Sequence, residues 1–235
     1  MADRYFLPQF PEGDLCALEG AEFHHLVRVM RRSPGDWLTV FDGEGTEADA
    51  EIVGMSKASA SLRLATRRCE SPPTRPDIVL ATAVPKADRF RWLVEKATEL
   101  GVDRLIPLQT ARSVVAPGAV KLDKMRQTVI EACKQSGRNR LMPLDPLIPW
   151  KEFVSAVVPN ACALVADPAG LPLPNVSELW SKNGPLLLVV GPEGGLTETE
   201  LADAIEAGAR TVSLGPRLLR IETAALALAA IFSLR

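Results

Sequence analysis

The chain has 235 residues, of which 47% are hydrophobic and 24% are charged, a balance typical of folded globular proteins. Its formal net charge of −2 argues against a strongly basic, non-specific nucleic-acid binder, although local basic patches remain compatible with it. The longest apolar runs are too short to span a membrane, and the N-terminal residues "MADRYFLPQF" lack the pattern of a signal peptide. We therefore expect a cytoplasmic protein.

The first seventy residues predict a small β-rich module with one short helix, around "EFHHLVRVMRR". The strand-like runs are residues 37–41, 47–55 and 60–68. The segment "CESPPTRPD" (69–77) contains three prolines, which fit neither a helix interior nor a central strand, so it predicts a domain boundary. We expect one domain over residues 1–71 and a second over residues 72–235.

Strands and helices alternate after this boundary, which predicts an α/β fold with a mainly parallel sheet covered by helices on both faces. Apolar residues recur at helical spacing over 87–100, and Gly101 suits the cap that follows the last turn. The predicted strands are residues 77–84, 103–110, 161–167, 185–191 and 211–215. The other predicted helices are residues 119–136, 175–182, 197–209 and a last one from about residue 222.

Cysteine and histidine spacing does not indicate a metal or redox site, and we predict no metal. The cysteines are Cys16, Cys69, Cys133 and Cys162, and we expect them to be buried thiols rather than disulfides. The adjacent His24 and His25 point to different sides of a helix, so we expect one to be packed and the other exposed.

A glycine turn follows an apolar strand in the stretch "LLLVVGPEGGLTETEL", residues 186–201. The turn 191–195 lies where open α/β sheets bind ligands, beyond the carboxyl end of a strand. Thr197 and Glu200 have the spacing of a capping box, which predicts a helix N-terminus beside the turn. The turn has neither the lysine of a P-loop nor the GxGxxG of a dinucleotide fingerprint. By itself it fits a tight turn that needs glycine dihedrals equally well.

A second strand, Gly-Pro turn and helix follow in "SLGPRLLRIETAALALAA", residues 213–230. Arg217, Arg220 and Glu222 are charges within an otherwise apolar segment, and such charges are costly unless they are paired or used. One interpretation is a structural pair between Arg220 and Glu222; the other is a ligand site rimmed by both loops. The final helix is rich in Ala and Leu on all sides, so we expect it to be buried in the core or against a second subunit.

Taken together, "GPEGGLTETE" and "LGPRLLRIETAALA" resemble the RsmE family of bacterial 16S ribosomal RNA uridine-N3 methyltransferases, in the SPOUT superfamily. Similar segments follow the family's order: "HHLVRVMRRSPGDWLTVFDGEG" (24–45), "KADRFRWLVEKATELGVDRLIPLQTARSVV" (86–115) and "EACKQSGRNRLMP" (131–143). The resemblance therefore covers nearly the whole chain. Lys134 departs from the pattern, because an acidic residue is common there in the family.

The resemblance implies a C-terminal SPOUT domain with a trefoil knot, which binds S-adenosyl-L-methionine and forms a homodimer, and an N-terminal PUA-like β-barrel that helps to hold RNA. It implies methylation of a uridine at N3 in the 16S ribosomal RNA of the small subunit. Two other interpretations stay open: a different nucleotide-binding α/β enzyme, such as a dinucleotide oxidoreductase, and a non-catalytic RNA-binding protein with the same fold.

The two loops and two basic clusters supply the predicted site residues. The predicted cofactor contacts are Gly191, Glu193, Gly194, Leu214, Gly215, Leu218 and Leu219. For catalysis we expect Arg220 or Arg217 to stabilise the charge that develops on the uracil oxygens, and Glu222 to orient that arginine. The predicted RNA contacts are Arg28, Arg31, Arg32, Lys134, Arg138 and Arg140. The alternative interpretation of each basic cluster is an ordinary solvated face.

Overall fold

The computed structural model describes residues 3–71, 73–86, 88–114, 122–173 and 184–233. Its contacts divide the chain into two compact units, each treated by itself below. The first unit contains Met1–Pro72 and Ile130–Leu141, and the second contains Pro73–Val129 and Met142–Arg235. The boundary lies within one residue of the predicted one, but Ile130–Leu141, which is predicted to belong to the second domain, groups with the N-terminal residues.

A curled five-stranded sheet forms the first unit, with the strand order β1-β3-β4-β5-β2. The strands are β1 (Arg4–Phe6), β2 (Leu15–Glu19), β3 (Trp37–Phe41), β4 (Thr46–Met55) and β5 (Ser59–Cys69). Neighbouring strands are antiparallel except for β1 and β3, which are parallel. Strands β3, β4 and β5 match the predicted strands, whereas β1 and β2 were not predicted. Strand β1 has three residues, and β2 has the burial pattern of a mostly exposed strand, so neither shows a clear apolar alternation.

Alternate side chains of this sheet fill one core, which includes Leu38, Val40, Ala50, Ile52 and Leu62. Helix α1 (Gly20–His24) continues directly into a π-helical turn (His25–Val29) where a single helix is predicted. Phe23 and Leu26 from this segment complete the core. As predicted, one histidine of the pair is packed and the other is exposed: His25 lies half-buried against Tyr5, and His24 faces solvent.

The second unit contains a six-stranded parallel sheet with the order β11-β9-β10-β6-β7-β8. Its strands are β6 (Ile78–Ala83), β7 (Arg104–Gln109), β8 (Ile148–Pro149), β9 (Cys162–Pro172), β10 (Leu186–Val190) and β11 (Arg210–Ser213). The predicted α/β fold with a parallel sheet is therefore confirmed. Strand order alone does not show how the chain threads, so the trefoil knot stays a prediction.

Helices cover both faces of this sheet. They are α2 (Asp88–Glu99), α4 (Trp150–Ala156), α5 (Glu198–Glu206) and α6 (Ile221–Ser233), while α3 (Leu122–Ser136) runs into the first unit. Side chains of α4 and α5 pack on one face, and α6 packs on β6, β10 and α2 at the other. Every residue of β6 and β10 is accordingly buried. The predicted helix at 175–182 lies outside the described residues.

All four cysteines lie in the described ranges, and none forms a disulfide. Cys133 and Cys162 are buried and Cys16 is half-buried, but the prediction of a buried thiol is wrong for Cys69, which is exposed at the end of β5. Burial raises the pKa of the Cys133 thiol to about 11, so this group is uncharged at neutral pH. Within the described ranges, no helix has the length and apolarity needed to cross a membrane.

Candidate functional site

A cavity of about 360 Å³ lies where β9, β10 and β11 end or diverge. Its walls are residues 166–168 of β9, the turn 191–196 that follows β10, and part of the segment 214–224 that follows β11. All seven predicted cofactor residues line it. The two glycine loops, which are separate in the sequence, therefore meet at one site, beyond the carboxyl ends of parallel strands where α/β sheets bind ligands.

The geometry of the first loop explains its glycines. Gly195 N donates to Pro192 O at 2.8 Å, and Gly195 has a φ of +70°, where a β-carbon is unfavourable. A β-carbon at Gly191 would lie 3.0 Å from Leu196 Cγ, closer than side chains normally pack. The turn thus needs glycine for its own shape, and the same glycines leave the backbone open to the cavity. Both sequence interpretations of the turn are compatible with this geometry.

Three side chains from outside the turn 191–196 hold its shape. The predicted capping box is confirmed, because Thr197 Oγ1 accepts from Glu200 N at 3.2 Å and Glu200 Oε2 accepts from Thr197 N at 2.8 Å. Glu200 Oε1 also accepts from Ala111 N at 2.7 Å, which ties α5 to the segment after β7. Arg112 Nη1 donates to Gly194 O at 2.6 Å. Sequence reasoning missed these links, because their partners are 89 and 82 residues apart.

A second, larger cavity of about 690 Å³ adjoins the first. Its lining combines Asp88, Arg89 and Trp92 of α2 with Arg220 and Glu222. Two leucines that line both cavities form a common wall: Leu218 and Leu219. The two predicted catalytic arginines are separated by this wall, since Arg217 lines the smaller cavity and Arg220 the larger.

The partner of Glu222 differs from the prediction. Glu222 is 7% exposed, and its Oε1 lies 3.8 Å from Nε of Arg89. Arg217 and Arg220 are both described and exposed, and neither forms an ion pair with Glu222. The physical reason is that Glu222 lies in the first turn of α6, which packs against α2, whereas both arginines precede the helix. The arginine that Glu222 contacts is therefore Arg89. The sequence predicts Arg217 or Arg220 as its partner instead.

The first basic cluster of the N-terminal unit is partly neutralised. Arg28 and Arg31 are exposed, whereas Arg32 forms an ion pair with Asp3. Arg31 has a φ of +53°, and no other non-glycine residue of the described ranges has a positive φ. This conformation is strained for a residue with a β-carbon. The charges offered to solvent are therefore those of Arg28 and Arg31.

The second basic cluster is engaged within the same unit. Lys134, at 9% side-chain exposure, places Nζ 3.1 Å from Glu22 Oε2. Burial raises the pKa of the Glu22 carboxyl, and the Lys134 ammonium opposes that rise. Arg138 and Arg140 are half-buried, and Arg140 Nη2 donates to Glu70 O at 3.3 Å. Lys134, the residue that departs from the family's pattern, thus supplies the cation for the half-buried Glu22.

Known proteins similar to this chain share both its sequence and its fold. The RNA methyltransferase domain family matches residues 72–233, and the RNA methyltransferase PUA domain family matches residues 18–65. Ribosomal RNA small subunit methyltransferase E of Bacillus subtilis (strain 168) is 35% identical over 95% of this chain and 93% of the relative. The protein of the same name from Mycobacterium tuberculosis (strain CDC 1551 / Oshkosh) is 33% identical over 94% of this chain and 87% of the relative.

Two solved structures support the same assignment. Ribosomal RNA small subunit methyltransferase E from Neisseria gonorrhoeae, bound to S-adenosyl methionine, gives a TM-score of 0.87 at 30% identity, covering 98% of this chain and 96% of that chain. A putative methyltransferase from Legionella pneumophila, also in complex with that cofactor, gives a TM-score of 0.88 at 29% identity. The match covers 99% of this chain and 97% of that chain. The resemblance seen in the sequence is confirmed, and the chain belongs to the ribosomal RNA small subunit methyltransferase E family.

Proposed function

We propose that this protein transfers a methyl group from S-adenosyl-L-methionine to N3 of a uridine in the 16S ribosomal RNA of the small ribosomal subunit. The observation that carries the proposal is the meeting of two glycine loops at one cavity, in a chain of this family. The solved structures of the relatives from Neisseria gonorrhoeae and Legionella pneumophila hold this cofactor, which supports the same ligand here.

The smaller cavity fits the cofactor in size and chemistry. Its volume of about 360 Å³ falls within the range of roughly 300 to 1,000 Å³ common for small-molecule sites. Leu214, Leu218 and Leu219 would hold the adenine against an apolar wall, and the turn backbone would supply hydrogen bonds. Asp167 and Glu193 also line the cavity and would face the positive charges of the bound molecule. When bound, the cofactor supplies an electrophilic methyl group.

Uracil N3 carries an imide proton at neutral pH, so the protein must remove this proton or stabilise the charge that its loss leaves on O2 and O4. We propose that the Arg220 guanidinium donates to one of these oxygens, because Arg220 lines the larger cavity beside the cofactor wall. Arg217 lines the cofactor cavity and is the second candidate. Folded Arg220→Ala and Arg217→Ala proteins would separate them by the rate of methyl transfer at saturating cofactor.

The test of the activity is methyl transfer to purified small ribosomal subunits, with the product mapped by primer extension. Methylation at N3 blocks Watson–Crick pairing, so the extension stops at the modified base. Equilibrium binding of S-adenosylhomocysteine and of NAD distinguishes the proposal from a dinucleotide enzyme. Cofactor binding without turnover on subunits or on free RNA would instead indicate a non-catalytic RNA-binding protein.

We propose that Arg28 and Arg31 contact RNA phosphates, which explains why a strained residue is kept at an exposed position. Replacement of Arg31 by Gly should relieve the left-handed strain and stabilise the protein by about 1 kcal/mol. The same replacement removes a phosphate contact, so RNA affinity should fall about threefold and depend less on salt. Thermal unfolding and a salt series of RNA binding measure the two effects.

Arg28→Ala is the matched control, since it removes a neighbouring charge without a change in backbone strain. We expect it to weaken RNA binding to a similar extent while the unfolding midpoint stays constant. Unchanged RNA affinity in both variants would contradict the proposed contact. A loss of cofactor affinity in either would point to misfolding.

We also propose a cytoplasmic homodimer that associates through the C-terminal domain. Leu171 is 71% exposed on β9, which leaves a large apolar side chain without cover in the described residues. A shallow cavity between Gly170, Leu214 and the α6 residues Ala227 and Ile231 continues this apolar surface. Sedimentation velocity of the wild type and of Leu171→Lys tests the assignment; a monomeric wild type would contradict it.

A further inference from the structure

We propose that Glu222 is the general base for methyl transfer, that Arg89 positions it, and that the larger cavity receives the target uracil. This inference rests on the proposed N3 methylation. Neither the loop sequence nor the relatives' names assign a base, and Arg89 stands outside both loops. The assignment comes from the contacts of one buried carboxylate.

The two oxygens of Glu222 are in different situations. Oε1 faces the guanidinium of Arg89 at 3.8 Å, whereas Oε2 is buried and has no hydrogen-bond partner among the described residues. A buried carboxylate oxygen without a donor is unfavourable, and protein structures usually satisfy such an atom. Because Glu222 lines the larger cavity, a ligand there that carries an N–H group would complete the arrangement.

The edge of uracil matches this arrangement of groups. Its imide edge presents an acceptor, a donor and an acceptor, at O2, N3–H and O4. Glu222 Oε2 would accept from N3–H, while the guanidinium of Arg220 supplies a donor for a carbonyl oxygen and Arg89 holds the carboxylate from its other oxygen. Cytosine carries no proton at N3 and would place a lone pair against the carboxylate, so the same groups would select against it.

The larger cavity also offers the space and the aromatic surface that a flipped-out base needs. The cavity of about 690 Å³ has room for a nucleotide extruded from its stack, and Trp92, 46% exposed on α2, offers a ring for the base to stack on. Leu218 and Leu219 separate this cavity from the cofactor cavity by a single wall. A base held there would lie beside the methyl donor.

The proposed step moves one proton and one methyl group. Glu222 Oε2 takes the N3 proton, and the electron pair of that N–H bond forms the new bond from N3 to the methyl carbon. The pair of the broken carbon–sulfur bond stays on sulfur. A carboxylate and a sulfonium are thereby converted into a carboxylic acid and a thioether, so charge balances, and Glu222 afterwards releases its proton to water.

The charged side chains that line the larger cavity with Glu222 come from two described segments. Asp88 and Arg89 approach from α2, and Arg220 approaches from the segment before α6. The strands β6 and β10, which also pack against α6, carry no titratable side chain.

The test uses the full-length protein, small ribosomal subunits and saturating cofactor in single-turnover reactions. Glu222→Gln keeps the size of the side chain, so we expect it to fold and to bind S-adenosylhomocysteine within about twofold of the wild type. Its transfer rate should fall at least about 100-fold, the usual effect of removing a general base. The remaining rate should rise about tenfold per pH unit, because reaction then requires uracil that is already ionised.

A more acidic substrate supplies a second readout. Subunits whose RNA contains 5-fluorouridine carry a more acidic imide, and they should restore much of the Glu222→Gln rate while leaving the wild-type rate almost unchanged. The third readout is the affinity for short RNAs, measured under conditions without methyl transfer. The wild type should prefer uridine to 3-methyluridine at the target position, and Glu222→Ala should lose that preference.

Arg89 is tested as a positioning residue. Arg89→Ala should lower the transfer rate about tenfold, change the pH profile and spare cofactor affinity, and Arg89→Lys should recover part of the loss. Arg91→Ala is the control, because Arg91 is an exposed arginine of the same helix and lines neither cavity. We expect it to behave as the wild type.

The outcomes separate the two proposals. A wild type that does not methylate uridine N3 contradicts the proposed function itself. If the wild type methylates uridine N3 and Glu222→Gln transfers at the wild-type rate with a flat pH profile, the role of Glu222 as general base is overturned. The proposed function then still stands. Dissociation of a wild-type dimer by Glu222→Gln or Arg89→Ala would also overturn the inference, because the cavity would then be a subunit interface.

Discussion

The two adjoining cavities of the second unit are built in different ways. The smaller is shaped largely by backbone, with four glycines among the residues that line it, and the larger is bounded by the charged side chains Asp88, Arg89, Arg220 and Glu222. A cavity shaped by backbone depends on dihedral angles and on the hydrogen bonds that fix them. A cavity shaped by charges depends on the identity of single side chains, so the two should respond to different substitutions.

The largest expected effect on the backbone-built cavity comes from Glu200→Ala. This change removes the acceptor of the Ala111 and Thr197 N–H groups and should lower stability by about 2 to 3 kcal/mol. The loop would lose its anchor, so cofactor affinity should fall while transfer at saturating cofactor stays near the wild-type rate. Thermal unfolding and calorimetric binding of S-adenosylhomocysteine measure both effects.

Glu198→Ala is the control for this change, since Glu198 lies exposed in the first turn of the same helix. It should cost less than about 1 kcal/mol. A strong fall of the transfer rate at saturating cofactor in Glu200→Ala would break the distinction between the cavities.

A smaller and more selective effect is expected from Gly215→Ala. Gly215 has a φ of +102° and lines the cofactor cavity, whereas Gly208 has a φ of +100° and does not. A β-carbon at either position would have no atom within 4 Å apart from its chain neighbours, so backbone strain is what the two substitutions share. Each should lose about 1 kcal/mol of stability, but only Gly215→Ala should weaken cofactor binding, by about tenfold. Equal affinity in both variants would show that the backbone at Gly215 does not shape the site.

The smallest of these effects is expected for Arg112→Ala, which removes the hydrogen bond to Gly194 O. The loss of one hydrogen bond of about 1 kcal/mol corresponds to about fivefold weaker cofactor binding. Arg91→Ala serves again as the control for a lost surface arginine. An unchanged affinity for Arg112→Ala would mean that the capping box alone fixes the turn.

The same contrast explains what the sequence could predict. Apolar strands, glycine turns and capping residues are local signals, so the parallel sheet and the lining of the smaller cavity were predictable. The larger cavity joins Arg89 to Glu222 across more than half of the chain, and no spacing rule connects them. Sequence reasoning therefore assigned Glu222 an arginine close to it in the chain.

Short elements account for most of the other omissions. Helix α4 has seven residues, too few for a helical period to be distinguished from a buried loop, and Pro149 precedes it. The sequence predicts an ordinary helix at the π-helical turn after α1, because both conformations display similar apolar positions over five residues. Local patterns also cannot reveal that Lys134 pairs with Glu22, 112 residues away.

The assignment of Ile130–Leu141 to the first unit has a consequence for how the chain is made. Arg4 donates to Asn139, and Glu22 forms an ion pair with Lys134. Both N-terminal side chains therefore bond to residues that are synthesised more than 100 residues later. The ribosome produces the chain from the N-terminus, and domains that are continuous in sequence can fold as they emerge. Here the first unit begins to emerge early but is completed only after residue 141 has been made, when Pro73–Val129 is the part of the second unit that has been synthesised.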